Sequence, residues 1–139
     1  MFDNIPSICL GTAQFGMKYG VTNKNKKPHS EDLLEILKLA KSSRISFIDT
    51  SSSYGDAEEL LGNSFKNDKS LDFKIITKFS NPNRNWDDHV RNDWNIRFEN
   101  SLKNLNVKYI DTYLIHDPKL LKRQDLFKLT DWLKDLKNK

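Results

Sequence analysis

Four short apolar runs alternate with four amphipathic stretches along the chain. The runs are "SICLG" (7–11), "ISFID" (45–49), "FKIITKF" (73–79) and "YIDTYLIH" (109–116). Between and after them, apolar residues recur at steps of three and four, the period of a helix buried along one face. Leu33, Ile36, Leu37 and Ala40 form the first such face. Ser30 stands before it as N-cap, and Glu31 and Asp32 suit the positive end of the helix dipole. Ala57, Leu60, Leu61 and Phe65 form the second face, with Asp56 as cap and Glu59 three residues on in a box-like pattern. Val90, Trp94, Phe98, Leu102 and Leu105 mark a longer third helix, on which Trp94 reads as a packing residue. Leu126, Leu129, Thr130, Leu133 and Leu136 mark a fourth.

Units of roughly 30 residues, strand then helix, predict parallel strands joined by crossover helices. The class is therefore α/β, and two architectures compete: an open doubly wound sheet and part of a (β/α) barrel. An open dinucleotide-binding sheet normally carries G-x-G-x-x-G after its first strand, and here that turn reads "GTAQFG". Gly11 and Gly16 have the separation of a P-loop, but Met17 stands where the lysine is required. The phosphate-loop reading fails.

Composition adds bounds. The 139 residues suit one domain, 1–139, with a core and no second domain. Charged residues make up 30% and hydrophobic residues 37%. The net charge of +4 comes from 23 basic and 19 acidic residues scattered along the chain, so no basic stripe points to nucleic acid. One cysteine, Cys9, cannot form an internal disulfide, and no Cys/His cluster has zinc spacing. The opening "MFDNIPSICLGTA" lacks the pattern of a signal peptide, and no apolar stretch approaches the roughly 18 residues of a membrane span. The expected compartment is the cytosol.

Polar residues fall at informative places. Gly11-Thr12 ends the first strand, Asp49 the second, Lys78 the third and His116 the fourth, while Tyr54 lies five residues past Asp49. In a parallel barrel all these ends open on one face, where active sites are built. Each residue alone has an ordinary reading: a cap, a solvated strand end, a histidine bonded to backbone. A carboxylate, a phenol, an ammonium and an imidazole arriving together on one face point instead to a site. A phenol, with an unperturbed pKa of about 10, needs help to ionise near neutral pH. An ammonium beside it, itself held by a carboxylate, favours the phenolate. The imidazole can donate to a substrate oxygen, which leaves Tyr54 as a proton donor beside a polarised carbonyl. That chemistry suits carbonyl reduction. None of these side chains supplies hydride, so a nicotinamide cofactor is required.

"LGTAQFG", "FIDTSSSYGDAEELLG", "ITKF" and "NSLKNLNVKYIDTYLIHDP" resemble successive signatures of the aldo-keto reductases, in order and at matching strand positions, from about Ile8 through the last helix. The resemblance implies a TIM-type (β/α) barrel, a catalytic tetrad of Asp49, Tyr54, Lys78 and His116 with Tyr54 as general acid, and Gly11, Thr12 and Asp49 beside the nicotinamide. It implies NADPH more often than NADH, no metal, and a small-molecule aldehyde or ketone substrate. The "GTAQFG" start hints at a bacterial-type member acting on sugar-like or other small carbonyls. A complete barrel has eight strands and about 250 residues. Four βα units thus correspond to an incomplete barrel, the N-terminal half, whose unpaired edges invite self-association. The competing expectation is an inactive half-barrel, serving as a structural or interaction module or with no function of its own. Asn83, Trp86 and the loop from Ala13 to His29 are further candidates to line or close the pocket, whereas His29 and His89, at helix starts, read as solvated.

Overall fold

The computed structural model describes residues 8–21, 27–80, 88–117 and 125–137. Four parallel strands, β1 (Leu10–Gly11), β2 (Phe47–Asp49), β3 (Lys74–Phe79) and β4 (Thr112–Ile115), pair in chain order. Parallel neighbours in sequence order require a crossover each time. The helices α2 (Ser30–Ser42), α3 (Ala57–Asn67) and α4 (Asp88–Leu105) supply them. A fifth helix, α5 (Asp125–Lys137), follows β4, and one turn of helix, α1 (Ala13–Gly16), lies in the first loop. These are four consecutive βα units, as the periodicity predicts, in the strand order of the barrel that the family resemblance implies.

Alternation along β3 divides its two faces. Ile75, Thr77 and Phe79 are buried on the helix side, and Ile76 and Lys78 lie on the other face. Two apolar clusters fill the layer between sheet and helices. The first gathers Leu33, Leu37 and Ala40 of α2, Ala57, Leu61 and Phe65 of α3, and Ile48 and Ile75 of the sheet. The second is aromatic: Phe79, Trp94 and Trp132, joined by Val90 and Leu129. Trp94 is a packing residue as expected, its ring centroid 5.1 Å from that of Trp132. The face expected of α5 holds at Leu129, Leu133 and Leu136, which pack in this second cluster. Leu126 and Thr130 are exposed instead, and Trp132 is buried because the helix turns its tryptophan to Phe79. On α2 the same correction applies to Ile36, which is exposed.

Capping differs in detail from the sequence expectation. The N-cap of α2 is His29, one residue before Ser30, and its backbone N–H donates to the Asp32 carboxylate at 3.3 Å. Asp56 does occupy the N-cap of α3, yet its carboxylate pairs with Lys27 at 2.6 Å instead of capping the helix amides. That ion pair ties the segment before α2 to the start of α3. Helix α2 ends on Arg44 at φ +62°, a left-handed residue, and Ile45 N–H closes back to Ala40 O at 3.0 Å. The ladder of β4 starts at Thr112, later than the apolar run. Just before it, the Asp111 carboxylate accepts the Ile75 N–H at 2.8 Å.

Candidate active site

Strand register brings the polar strand ends together. Gly11 pairs with Asp49 and Asp49 with Ile76, and Lys78 pairs with Leu114. The ladder continues past the strands: Thr12 N–H donates to Asp49 O at 3.0 Å, Thr50 N–H to Ile76 O at 2.8 Å, and His116 N–H to Phe79 O at 2.9 Å. Residues that end four different strands are thus held by backbone bonds at one edge of the sheet. Thr12 is fully buried, and its hydroxyl also donates to Asp49 O at 3.1 Å.

Lys78 is the centre of the cluster. Its Nζ donates to the Asp49 carboxylate and to Thr50 O at 3.0 Å, so two of its three N–H groups are engaged. The lysine side chain is 15% exposed and the aspartate 38%, which keeps the ammonium largely out of water while the carboxylate opens to the cleft. The same Nζ stands 5.2 Å from the centroid of the Tyr54 ring. Tyr54 in turn meets His116 edge to face, centroids 5.5 Å apart at 88°. A continuous chain of contacts, Asp49–Lys78–Tyr54–His116, therefore links four residues that the sequence spreads over 68 positions. Gly11, Thr12, Asp49 and Tyr54 line a cleft of about 230 Å³, with Gln14 and Tyr19 on its walls.

The loop that carries Tyr54 is shaped by two glycines. Gly55 adopts φ +61°, which a side chain would strain. Gly16, at the end of α1, lies so close to this loop that a Cβ would stand 1.7 Å from Tyr54 O. The loop is also pinned through its three serines. Ser52 donates twice to Lys78 O, from its N–H at 3.2 Å and its hydroxyl at 3.1 Å. Ser53 and Ser80 share a hydroxyl bond at 2.7 Å. Ser51 Oγ lies 2.8 Å from His116 Nδ1, a contact that sequence spacing does not reveal. Its only sequence signal is a run of three hydroxyls directly after Asp49-Thr50.

Behind the site, Glu58 is buried on α3 and accepts a bond from Thr77 Oγ1 at 2.7 Å. Burial pushes its carboxyl up from the usual range, partly offset by the Thr77 bond. Asn83 and Trp86 lie outside the described residues, as do positions 22–26 of the expected closing loop, while His29 and His89 are exposed. Among the described residues no group of three metal-ligating side chains is found, and no helix is long and apolar enough to cross a membrane.

Known proteins are similar to this chain in sequence or in fold. A D-arabinose 1-dehydrogenase of Saccharomyces cerevisiae is 28% identical over 140 residues, covering 98% of this chain and 40% of its own length. A Pseudomonas aeruginosa protein assigned to the aldo-keto reductases superposes with a TM-score of 0.70 at 27% identity, over 91% of this chain and 50% of that one. A Bombyx mori aldo-keto reductase, solved in complex with NADP, gives 0.64 at 24% identity, a likeness of fold, over 96% of this chain and 43% of that one. The chain thus spans about half the length of the relatives it matches. The sequence model of the aldo/keto reductase family matches residues 7–139. With the βα order and the family signatures at the strand ends agreeing with that match, the chain belongs to the aldo/keto reductase family.

Proposed function

We propose that this chain carries the proton-transfer machinery of a carbonyl reductase, an oxidoreductase that converts an aldehyde or ketone to an alcohol using NADPH. The observation that carries the proposal is the contact chain from Asp49 through Lys78 and Tyr54 to His116. Tyr54 is the general acid, donating its phenolic proton to the carbonyl oxygen as negative charge develops there. The Lys78 ammonium, held by Asp49 and Thr50 O, offsets the charge left on the phenol. His116 donates a hydrogen bond that orients the carbonyl. The nicotinamide supplies the hydride when bound.

The residues beside the cleft fit that group at its nicotinamide end. Around Gly11 there is open space, since a Cβ there would meet nothing within 4 Å. Asp49 opens its carboxylate to the same cleft. Gly11, Thr12 and Asp49 would hold the ring, with Thr12 fixing the Asp49 backbone from below. NADPH is the preferred donor over NADH in this reading, as membership of the aldo/keto reductase family implies. We read the chain as the N-terminal four units of an eight-stranded barrel, because its span is about half that of its relatives. One cysteine suits a reducing compartment, and the cytosol is the proposed setting.

An NADPH titration followed by tryptophan fluorescence tests whether a cofactor site assembles. Saturable binding is expected. A folded chain that binds no NADPH would favour the alternative, an inactive half-barrel acting as an interaction module.

A further inference from the structure

We propose that Ser51 is a positioning residue for His116: its hydroxyl donates to Nδ1 and holds the neutral imidazole in the tautomer that carries its proton on Nε2. The proposal rests on reading His116 as the group that orients the substrate carbonyl, and it names what sets that group's donor.

The direction of the bond follows from counting donors. Ser51 Oγ has one hydrogen and two neighbours that could accept it, Lys78 O at 3.3 Å and His116 Nδ1 at 2.8 Å. A carbonyl oxygen has two lone pairs. Those of Lys78 O are already taken by the Ser52 N–H at 3.2 Å and the Ser52 hydroxyl at 3.1 Å. Ser51 itself accepts the Ser53 N–H at 3.1 Å, which turns its oxygen and fixes the direction left for the hydrogen. Ser51 is fully buried, so no solvent competes for that hydrogen. The proton of Ser51 goes to Nδ1.

The consequence is chemical. An imidazole that accepts at Nδ1 must carry its hydrogen on Nε2, and only an N–H can donate to a carbonyl oxygen. In the opposite tautomer Nε2 presents a lone pair, which repels that oxygen. Ser51 leaves the loop after β2 and His116 ends β4, so the bond spans β3 and couples the acid's loop to the orienting group. It also explains why the hydroxyl is placed on Ser51 in addition to those of Ser52 and Ser53, which face other partners.

Long-range proton–nitrogen NMR of the histidine rings in the 139-residue chain, at a pH where imidazole is neutral, reads the tautomer directly. The His116 signals are assigned by their loss in His116→Asn. The native chain is expected to show His116 protonated on Nε2. Ser51→Ala is expected to shift the ratio about fivefold toward the Nδ1 form, the population change that one hydrogen bond of ordinary net strength is worth. Ser51→Thr is expected to restore the native ratio, which a merely structural role for the residue would not require. A native chain with the proton on Nδ1 would overturn the proposal even if Ser51→Ala failed to fold, and so would an unchanged ratio in a folded Ser51→Ala. The readout needs no turnover. An inactive chain with the Nε2 tautomer would count against the reductase reading alone, and an active chain with the Nδ1 tautomer against the role of Ser51 alone.

Discussion

Gly11 ends β1 and Gly16 ends α1, five residues apart, yet alanine should be catastrophic for folding at Gly16 and harmless to it at Gly11. At Gly16 a Cβ would stand 1.7 Å from Tyr54 O, 2.4 Å from Ala57 N and 2.9 Å from Ala57 Cβ. None of these atoms can swing aside, because two are backbone and the third is the first atom of a side chain. Moving Tyr54 O from 1.7 Å to the 3.0 Å that real Cβ contacts require is a shift of about 1.3 Å. Tyr54 O also accepts the Ala57 N–H at 3.2 Å, so the shift disturbs the turn that starts α3. Overpacking typically costs about 1–3 kcal/mol, and a backbone clash belongs at the upper end, about 3 kcal/mol. With a urea slope of about 2 kcal/mol/M, the unfolding midpoint should fall by about 1.5 M. At Gly11 a Cβ meets nothing within 4 Å and φ is not positive, so Gly11→Ala should stay within about 0.5 kcal/mol of native. Urea unfolding followed by far-ultraviolet circular dichroism measures both. If Gly16→Ala unfolds within 0.5 kcal/mol of native (roughly the uncertainty of a surface change), the close approach of α1 to the Tyr54 loop is wrong.

Two further outcomes follow from the packing and the sheet edges. Burial raises the Glu58 carboxyl, so its contribution favours the fold below about pH 4.5, its ordinary value, and is lost as pH rises through the raised one. Glu58→Gln should therefore gain stability relative to native between pH 4.5 and neutrality; parallel stability–pH curves for the two would refute the assignment. The outer edges of β1 and β4 have no strand partner among the described residues, and Leu114 on β4 is exposed. The 139-residue polypeptide should accordingly self-associate, with light scattering giving a mass above that of one chain; a monodisperse monomer would contradict this.

Much of the site was legible because parallel strands end where an apolar run meets a polar residue. Asp49, Lys78 and His116 each interrupt such a run, and strand register alone brings them to one edge. The helix faces of α2 and α3 were legible for the same periodic reason, with Leu33, Leu37, Leu61 and Phe65 buried. What stayed hidden depends on tertiary partners. Helix α1 has only four residues, too few to establish a period. The need for glycine at position 16 comes from Tyr54, 38 residues away. Asp56 has the sequence of a cap, and only the fold reveals that Lys27 takes its carboxylate. Ser51 was not singled out in the sequence because its partner, His116, lies 65 positions on. Trp132 was missed on α5 because the apolar pattern there admits more than one face, and the aromatic contacts of Phe79 decide between them.

The account stands on Tyr54 as the proton donor, so the most direct measurement is carbonyl-dependent oxidation of NADPH by native protein and by Tyr54→Phe. The substitution removes one oxygen from a ring whose contacts to Lys78 and His116 are made by the ring itself. The predicted result is turnover in the native protein, its loss by about a hundredfold or more in Tyr54→Phe, and NADPH binding unchanged between them. Comparable turnover by the two proteins would contradict the assignment of Tyr54.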